Sequence, residues 1–408
     1  MNSADRRIRV AVVFGGDSPE HEVSVISGTQ VIAAMDQLRF EVIPVYIAQN
    51  GLWYTGKELA DKTFFSRVAQ NPAILESCTQ VALLPVPGQG GLTTIAPKPA
   101  FSFNRSAEAR ISVDVFFPVL HGGTGENGSI QGLFELASVA YAGSNVPASA
   151  VGMDKGLCKK VAQAHGIPVL PGLTVGRSEA RANLRGVLDA ILSEDTLGGF
   201  PLFVKPCNLG SSIGVSACNN ESELAAGLVR VFKYDTHAIV EPKIQDIMEL
   251  NVAVLEGEPP TASVVEMPRP DSKDGVLSYE DKYMRGGKTP GDQGPADGMA
   301  GLDRVIDPQD IATELKEAVR AYAAAIFTAI HAHGVARVDF IVDKSTQRAY
   351  FNEINTIPGS LAFYLFNENA PYLFYTEQLS HQIDGALKRH AARRALQSKG
   401  EFKAIFSG

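Results

Sequence analysis

Apolar residues fall into strand-length runs and longer runs with helical spacing, and the two kinds alternate at the start of the chain. Positions 9–14 form a continuous apolar run of the kind found in buried parallel strands. Positions 23–35 carry the helical period, and positions 40–47 form a second strand-length run. This β-loop-α-β pattern predicts a doubly wound, Rossmann-like α/β domain at the N-terminus.

Glycine-rich turns follow the strands of this first unit. The turn at 15–22 does not match G-x-G-x-x-G, which disfavours a dinucleotide site. Its Glu20 lies beside the helix start, where it either complements the helix dipole or reaches into a cleft to hold a substrate ammonium. Positions 50–110 are rich in Gly, Pro and polar residues and predict an irregular insertion. A buried strand at 113–120 and a turn at 121–128 follow.

A second unit begins near residue 149. Lys205 ends an apolar strand at 201–205 and is followed by the Gly/Ser loop 210–214. The Walker A motif is absent, but a lysine beside a loop of small residues can hold a polyphosphate through a point charge and closely approaching amides. The alternative is a charged strand end beside a hairpin turn.

The remaining segments complete an α+β pattern. A polar stretch at 268–308 is too long for an ordinary loop and is typical of a lid or a disordered segment. The other predicted elements are strands at 238–244 and 247–255 and helices at 315–332 and 379–396.

Two apolar runs near the C-terminus, within 334–359, are separated by the polar break 344–348 and predict a β-hairpin. Polar residues alternate with apolar ones on both runs, which places each pair on one strand face. The pairs are Arg337 with Asp339 and Glu353 with Asn355.

The register of this hairpin decides what the polar face can do. A three-residue loop at 345–347 would set Asp339 opposite Glu353 and Arg337 opposite Asn355. Opposed carboxylates repel unless a proton or a cation joins them. An all-oxygen donor set suits Mg²⁺. The pattern by itself equally fits the exposed face of a surface hairpin.

Composition narrows the class of protein. The 408 residues, 45% hydrophobic and 20% charged, predict a soluble protein of two or three domains. The net charge of −8 argues against a nucleic-acid surface, and no apolar run is long enough to span a membrane. Four scattered cysteines disfavour a zinc site and indicate a cytoplasmic location.

Several motifs, taken in order, resemble those of the D-alanine–D-alanine ligase family in the ATP-grasp superfamily. They are Gly15-Gly-Asp-Ser-Pro-Glu20-His-Glu-Val-Ser24, His121-Gly-x-x-Gly-Glu126-x-Gly128, Met153-Asp-Lys155, Val204-Lys205-Pro with Gly210-Ser211-Ser212-x-Gly214, Lys282-Tyr283, Arg337-Val-Asp339 and Asn352-Glu353-x-Asn355-Thr-x-Pro-Gly359. The resemblance runs from about residue 9 to 365, with the 50–110 insertion outside it.

The resemblance implies a fold in which a two-domain ATP-grasp unit follows the N-terminal domain. The implied domains are an N-terminal substrate domain at 1–148, a central subdomain at 149–244 and a C-terminal subdomain at 245–408. The C-terminal subdomain would include the lid at 268–308 and the closing helix.

The resemblance also implies an ATP site between the central and C-terminal domains. Glu241 and Ile244 would line the adenine pocket, Glu249 would bind the ribose, and the lid residue Lys282 would approach the γ-phosphate. The full implied set is Lys155, Lys205, Gly210, Ser212, Glu241, Ile244, Glu249 and Lys282.

By the same resemblance, the hairpin carries the metal site. Asp339, Glu353 and Asn355 would hold two Mg²⁺ ions, with Mn²⁺ as a substitute.

The implied reaction joins two D-alanines for peptidoglycan precursor synthesis. Arg337 and the Gly359 N–H would meet the tetrahedral oxyanion. Glu20 would hold the first ammonium and connect through Ser211 to Tyr283 of the lid.

The second substrate is the open point. Tyr364 aligns with a serine that helps to fix the second carboxylate in the family, and Ser360 is a nearby substitute. Tyr283 matches dipeptide-forming members and favours an amine nucleophile. The alternatives are a ligase with a different second amino acid or a non-catalytic nucleotide-binding protein. Partners beyond small molecules are limited to a second copy, since the family is usually homodimeric.

Overall fold

The computed structural model describes residues 6–95, 109–210, 213–269, 304–367 and 372–396. Within them, three β-sheets follow one another, built from residues 8–119, 173–242 and 247–355. The predicted mixture of α/β and α+β units with an ATP-grasp arrangement is confirmed as a fold class. The domain boundaries at 148 and 244 stay predictions.

The first sheet has a parallel centre and an antiparallel extension. Its order is β6-β5-β4-β3-β2-β1-β7, and β1 pairs in parallel with both β2 and β7. The strands are β1 (Ile8–Gly15), β2 (Phe40–Ile47), β3 (Trp53–Thr55), β4 (Thr79–Ala82), β5 (Leu92–Thr94), β6 (Arg110–Ile111) and β7 (Val115–Val119).

The expectation of an irregular insertion at 50–110 is wrong for its described part. Four antiparallel strands, β3 to β6, extend the sheet there, and a helix at Lys62–Gln70 packs beside them. These strands are only two to four residues long. Hydrophobic periodicity needs a longer window to become visible, which is why the pattern alone did not indicate them.

The second and third sheets are antiparallel. The second has the order β10-β9-β11-β8, and the third has the order β14-β13-β12-β15-β16. Their strands are β8 (Leu173–Gly176), β9 (Leu202–Pro206), β10 (Ser216–Cys218), β11 (His237–Pro242), β12 (Ile247–Leu255), β13 (Thr261–Pro268), β14 (Arg304–Ile306), β15 (Val335–Asp343) and β16 (Arg348–Asn355).

The helices cover these sheets, and several begin at an Asn or Asp side chain that accepts a backbone N–H. They are α1 (His21–Ala34), α2 (Lys62–Gln70), α3 (Gly123–Glu126), α4 (Ser129–Ala137), α5 (Val146–Met153), α6 (Lys155–Ala164), α7 (Arg177–Ala182), α8 (Leu184–Leu192), α9 (Glu221–Val231), α10 (Thr313–Ala329), α11 (Tyr364–Asn367) and α12 (Tyr375–Leu396). Short 3₁₀ helices lie at Lys57–Ala60, Pro72–Ser77, Asp195–Leu197 and Gly359–Ala362.

The β15–β16 hairpin has the predicted register but not the predicted loop. Asp339 lies opposite Glu353, and Arg337 lies opposite Asn355. The strands end at the pair Asp343 and Arg348, so the loop has four residues rather than three. A bulge beyond Asp339 takes up the extra residue, since Phe340 pairs with Phe351 and Asn352 has no directly opposed residue.

The C-terminal helix α12 packs against the N-terminal unit. Its Leu379 and Ile383 share a core cluster with Val12 and Phe14 of β1. The same cluster includes Leu255 of the third sheet, so one core joins the first and last parts of the chain. This contact was not expected, because α12 was grouped with the C-terminal subdomain alone.

Among the residues described, no helix combines the length and hydropathy that a bilayer crossing requires.

Phe351 on β16 belongs to the hydrophobic core that packs against the hairpin. It is 1% exposed and packs edge-on against Phe340, with 6.3 Å between ring centroids. We expect Phe351→Ala to lower the free energy of unfolding by about 3–5 kcal/mol, because it leaves a cavity in a packed core. Urea unfolding followed by circular dichroism measures this. Leu38→Ala, at a side chain 90% exposed, is the control and should change the midpoint little. Equal midpoints for both variants would contradict this packing role.

Candidate active site

A row of polar side chains crosses the third sheet at one level. Glu266 on β13 pairs with Asn251 on β12, Asn251 pairs with Asp339 on β15, and Asp339 pairs with Glu353 on β16. Directly paired residues point to the same face of an antiparallel sheet. The row therefore places three carboxylates and one amide side by side on four neighbouring strands.

Cations compensate the two carboxylates at the hairpin end of this row. Arg337 donates from Nε and Nη2 to the two oxygens of Asp339, both at 2.7 Å. Asn355 Nδ2 donates to Asp339 Oδ2 at 3.2 Å. Lys155 Nζ lies 3.0 Å from Glu353 Oε2 and donates to the Leu209 carbonyl at 2.7 Å. Each of these two carboxylates thus has a cationic partner.

The pKa values of these cations follow from burial and pairing. Burial lowers the pKa of Lys155, but the charge of Glu353 and its hydrogen bond outweigh burial, and the net pKa is raised. Burial likewise acts to lower the pKa of Arg337, and the Asp339 carboxylate reverses the effect and raises it. Both side chains are therefore held in their charged forms beside the carboxylates.

A second buried ion cluster lies on the central sheet. Glu241 accepts from Lys205 Nζ at 2.8 Å and also pairs closely with Lys159 of α6. Burial acts to raise the pKa of Glu241, but the two lysines lower it to about 2. Glu241 was expected at the adenine pocket, and its side chain is instead held between two lysines. Lys159 was not foreseen from the sequence.

A cleft lies between the second and third sheets. It brings together seven residues that the sequence singled out, and its remaining wall is largely apolar, including Phe203 and Phe340. The seven are Lys155, Lys205, Gly210, Ile244, Glu249, Asp339 and Glu353. A mostly apolar cleft with a few charged groups at one end is typical of a nucleotide site.

Glu20 of the N-terminal unit lies close to Gly210, which lines this cleft, and is 9% exposed. Gly122 has φ +68°, and a Cβ there would lie 2.4 Å from Glu20 Oε2, so only glycine allows this close approach. A Cβ on Gly210 would lie 3.6 Å from Glu20 Oε1. Glu20 therefore lies where the glycine turn of the first unit meets the Gly/Ser loop of the second.

His121 and Glu126 join the N-terminal unit to the end of the hairpin. His121 Nδ1 lies 2.9 Å from the Ile357 carbonyl, and Glu126 accepts the N–H groups of Gly122 at 2.7 Å and Ile357 at 3.2 Å. Burial, followed by the charge of Glu20, raises the pKa of Glu126 to about 8. Both residues lie in a quoted motif, but their clamping role was missed because it depends on contacts distant in sequence.

The two candidates for the second substrate lie in different surroundings. Ser360 is 1% exposed, has φ +50°, and donates from Oγ to Gln30 Oε1 at 2.8 Å. Its hydroxyl is thus used in a contact between the hairpin exit and α1. Tyr364 is half-buried beside Glu266, and the Arg304 guanidinium lies 4.3 Å from the centroid of the Tyr364 ring.

Other predicted site residues lie outside the described residues or carry only backbone roles. Gly359 begins the turn after the hairpin. The segment expected as a lid is described only at its two ends, where β13 pairs with β14. The residues outside the described ranges are Ser211, Ser212, Lys282 and Tyr283.

Asn251, Glu266 and Arg304 were also missed. Asn251 and Glu266 each interrupt an apolar strand, and that interruption is a signal that sequence reading could have used. Pairing across the sheet was needed to place them in one row with Asp339.

Comparisons of the sequence with known proteins all indicate the same family. Two family models match the chain, described as D-ala D-ala ligase N-terminus over residues 9–144 and D-ala D-ala ligase C-terminus over residues 161–371. A protein named D-alanine–D-alanine ligase A from Bradyrhizobium diazoefficiens is 38% identical over 395 residues, covering 96% of this chain and 98% of that protein.

Comparisons with solved structures agree with the sequence comparisons. The D-alanine-D-alanine ligase from Coxiella burnetii is similar with a TM-score of 0.75 and 26% identity, covering 96% of this chain and 97% of that one. The VanG D-Ala:D-Ser ligase from Enterococcus faecalis is similar with a TM-score of 0.71 and 28% identity, covering 94% and 100%.

The raised pKa of Glu126 predicts a pH dependence of stability. A carboxyl whose folded pKa is about 8 and whose ordinary pKa is 4.5 stabilises the fold below pH 4.5 and loses that contribution as pH rises through 8. Each pKa unit corresponds to about 1.4 kcal/mol, so we expect a loss of up to a few kcal/mol across this window.

Glu126→Gln keeps the shape of the neutral side chain and should flatten this part of the profile. Urea unfolding between pH 5 and 8.5 measures the effect. Glu179→Gln, on the exposed side of α7, is the control and should keep the wild-type slope. A Glu126→Gln profile parallel to the wild type would show that Glu126 does not titrate in this range.

Proposed function

The chain belongs to the D-alanine–D-alanine ligase family, and from this premise we propose that it joins two D-alanines at the expense of ATP in peptidoglycan precursor synthesis. The observation that carries the proposal is the shared cleft wall, where Lys155 and Lys205 face the Asp339–Glu353 pair. Glu20 approaches the Gly210 loop from the opposite unit. The lysines proposed to bind phosphates, the acidic row and the N-terminal unit thus meet at one place.

The first step is phosphoryl transfer. The carboxylate of the first D-alanine attacks the γ-phosphorus of ATP, ADP leaves, and an acyl phosphate forms. The protein contributes mainly position and charge to this chemistry. Lys155 and Lys205 contact the phosphates, and Glu20 holds the ammonium of the first D-alanine. Ile244 and Glu249 line the nucleoside end of the cleft.

The second step is acyl transfer. The neutral amine of the second D-alanine attacks the acyl carbon, the bond to the phosphate oxygen breaks, and phosphate leaves together with the proton that the amine loses. Arg337 uses Nε and Nη2 for Asp339, which leaves Nη1 outside that pair to meet the oxyanion. The Gly359 N–H is the second donor. Such donors are typically worth about 10²–10³ in rate.

The donor set fits a divalent cation that is shared with a substrate. Asp339, Glu353 and Asn355 offer only oxygen ligands, and two carboxylates with an amide are too few for a complete protein cage. Among the described residues, no group of three or more His, Cys, Asp or Glu side chains is arranged to hold a metal ion. Bound Mg²⁺ would neutralise phosphate charge. Two ions, and Mn²⁺ as a substitute, remain part of this proposal.

The proposal includes four residues that close the phosphate and substrate sites: Ser211, Ser212, Lys282 and Tyr283. It also places the segment around Glu241 at the adenine pocket, although the Glu241 carboxylate itself is paired with Lys205. The protein acts as a homodimer in the cytoplasm.

A second candidate is a ligase with a different second amino acid. Tyr364 favours it, because this bulky side chain occupies the position expected for a small hydroxyl residue. The structurally similar VanG D-Ala:D-Ser ligase is an example of a ligase named for two different amino acids.

Product analysis tests the proposed function directly. ADP release is measured with ATP, Mg²⁺ and a panel of D- and L-amino acids, and the products are identified by mass. We expect D-alanyl-D-alanine from D-alanine alone. If D-alanine gives no dipeptide while another amino-acid pair does, the second candidate replaces the first.

Glu353→Gln tests the acidic row. The change removes one of two opposed carboxylates and the partner of Lys155, so we expect ADP release to fall by about 10²-fold or more. Asp343→Asn, at the far end of the same hairpin, is the matched control and should retain near-normal turnover. Circular dichroism confirms that both variants fold. Near-normal activity of Glu353→Gln would remove the phosphate and metal assignment.

A further inference from the structure

A second cavity lies where three parts of the chain meet, and we call it the Arg389 cavity. The N-terminal unit contributes α4 and the segment 139–145 to its wall, and α12 contributes Arg389 and its neighbours. The third part is His333, which lies between α10 and β15. Among the described residues, none lines both this cavity and the cleft of the candidate active site. The cavity is therefore a separate space that the proposed reaction does not use.

Basic side chains dominate the wall of the Arg389 cavity. Two arginines and two histidines line it, together with one carboxylate, that of Glu135. The four basic residues are Arg389, Arg393, His333 and His390. The whole chain carries a net charge of −8, so this concentration of basic groups is a local feature. A concave wall with an excess of one sign of charge attracts a ligand of the opposite sign.

Arg389 has a donor that no described residue uses. Its Nη1 pairs closely with Glu256, which follows β12 and is not part of the cavity wall. Glu256 Oε2 also lies 3.8 Å from His333 Nδ1. Arg389 Nη2, by contrast, is buried and has no hydrogen-bond partner within the described ranges. A buried donor without a partner costs free energy, and an anion in the cavity would remove that cost.

The single carboxylate on the wall is already compensated. Glu135 forms an ion pair through Oε2 with Arg393 of α12. The Tyr141 hydroxyl donates to Glu135 Oε1 at 2.8 Å. Because both oxygens of Glu135 accept hydrogen bonds or pair with a cation, this carboxylate opposes the entry of an anion only weakly.

The two histidines report the positive potential at the cavity. Burial, followed by the charges of Arg389 and His331, lowers the pKa of His333 to about 4. Burial, followed by the charge of Arg394, lowers the pKa of His390. Neighbouring basic groups thus oppose a further positive charge at both imidazoles. A neutral imidazole still offers one N–H donor to a ligand.

Backbone contacts hold the walls of the cavity in place. Ser144 Oγ accepts the His333 N–H at 3.2 Å and donates to the His333 carbonyl at 3.1 Å. A Cβ on Gly334 would lie 2.7 Å from Gly143 Cα, so the two backbones are in direct contact. A Cβ on Gly143 itself would meet no described atom within 4 Å, which leaves room on the cavity side. The space is therefore built by packed backbone and is not closed by its own side chains.

We propose that the Arg389 cavity binds a small dianion of the phosphate class, either inorganic phosphate or a phosphomonoester, which joins α12 to the N-terminal unit. Arg389 Nη2 and the imidazole of His390 donate to its oxygens, and Arg393 adds charge. Two guanidinium groups with nearby imidazoles match the charge and the several acceptor oxygens of a phosphate better than those of a monoanion. This proposal goes beyond the proposed function and does not depend on it.

Calorimetric titration of the full-length protein tests the proposal without using catalysis. The ligands are inorganic phosphate, glycerol 2-phosphate and acetate at constant ionic strength. The double variant Arg389→Met/Glu256→Gln removes both members of the ion pair, which avoids leaving a buried carboxylate unpaired. His390→Gln keeps every ion pair. The matched control is Lys388→Met, which removes one positive charge from an exposed residue of the same helix that is not on the wall.

We expect wild-type protein to bind phosphate and its Tm to rise with phosphate concentration. The double variant should weaken phosphate binding at least about tenfold, because it removes a charge-assisted donor. His390→Gln should weaken it by a smaller factor, and Lys388→Met should stay within about twofold of wild type. Acetate should bind at least about tenfold more weakly than phosphate. Tighter binding of inorganic phosphate than of glycerol 2-phosphate would identify the free ion as the ligand, and the reverse order would identify a phosphomonoester.

Three results would overturn the inference. The first is a wild-type protein that binds neither phosphate nor glycerol 2-phosphate. The second is an unchanged phosphate affinity in the folded double variant, which would place the ion at the lysines of the cleft. If circular dichroism shows that the double variant does not fold, an unchanged affinity in His390→Gln has the same meaning. The third is equal binding of acetate and phosphate, which would indicate only general screening of charge.

Discussion

The structure depends on how it neutralises two carboxylates that the hairpin register forces together. Asp339 and Glu353 lie directly opposite each other on neighbouring strands. Their compensation comes from different places, since Arg337 comes from the same strand and Lys155 comes from the start of α6. Glu353 therefore has its cationic partner only when the central unit is docked on the third sheet. Substrate phosphates and a divalent cation would enter an environment whose charges are already balanced and close to one another.

The N-terminal unit is docked on the hairpin by neutral side chains and backbone groups. His121 and Glu126 hold the backbone at Ile357 just past the hairpin, and Ser360 bonds to α1 through Gln30. The core formed by β1 and α12 adds apolar contacts between the two ends of the chain. These contacts fix Glu20 relative to the acidic row. A rigid connection of this kind is what an enzyme needs to position one substrate against another.

The polar row also places the charged side chains in a fixed order across the sheet. Lys155 lies beside Glu353 at one end, Arg337 and Asp339 lie in the middle, and the Arg304–Glu266 ion pair lies at the other end. Strand pairing sets this order, because each step along the row is one strand spacing.

The sequence by itself determined the β-α-β opening, most strands and helices, the hairpin pairing of Asp339 with Glu353 and the lysines of the cleft, because these depend on local periodicity and on motifs that are short and contiguous. Only the tertiary structure decided that Glu241 pairs with Lys159, that a bulge at Asn352 compensates a longer loop, that α12 joins the N-terminal core, and that Glu266, Asn251 and Arg304 lie beside the site. The physical reason is that these contacts join residues distant along the chain, so no local pattern records which side chains the folded sheets bring together.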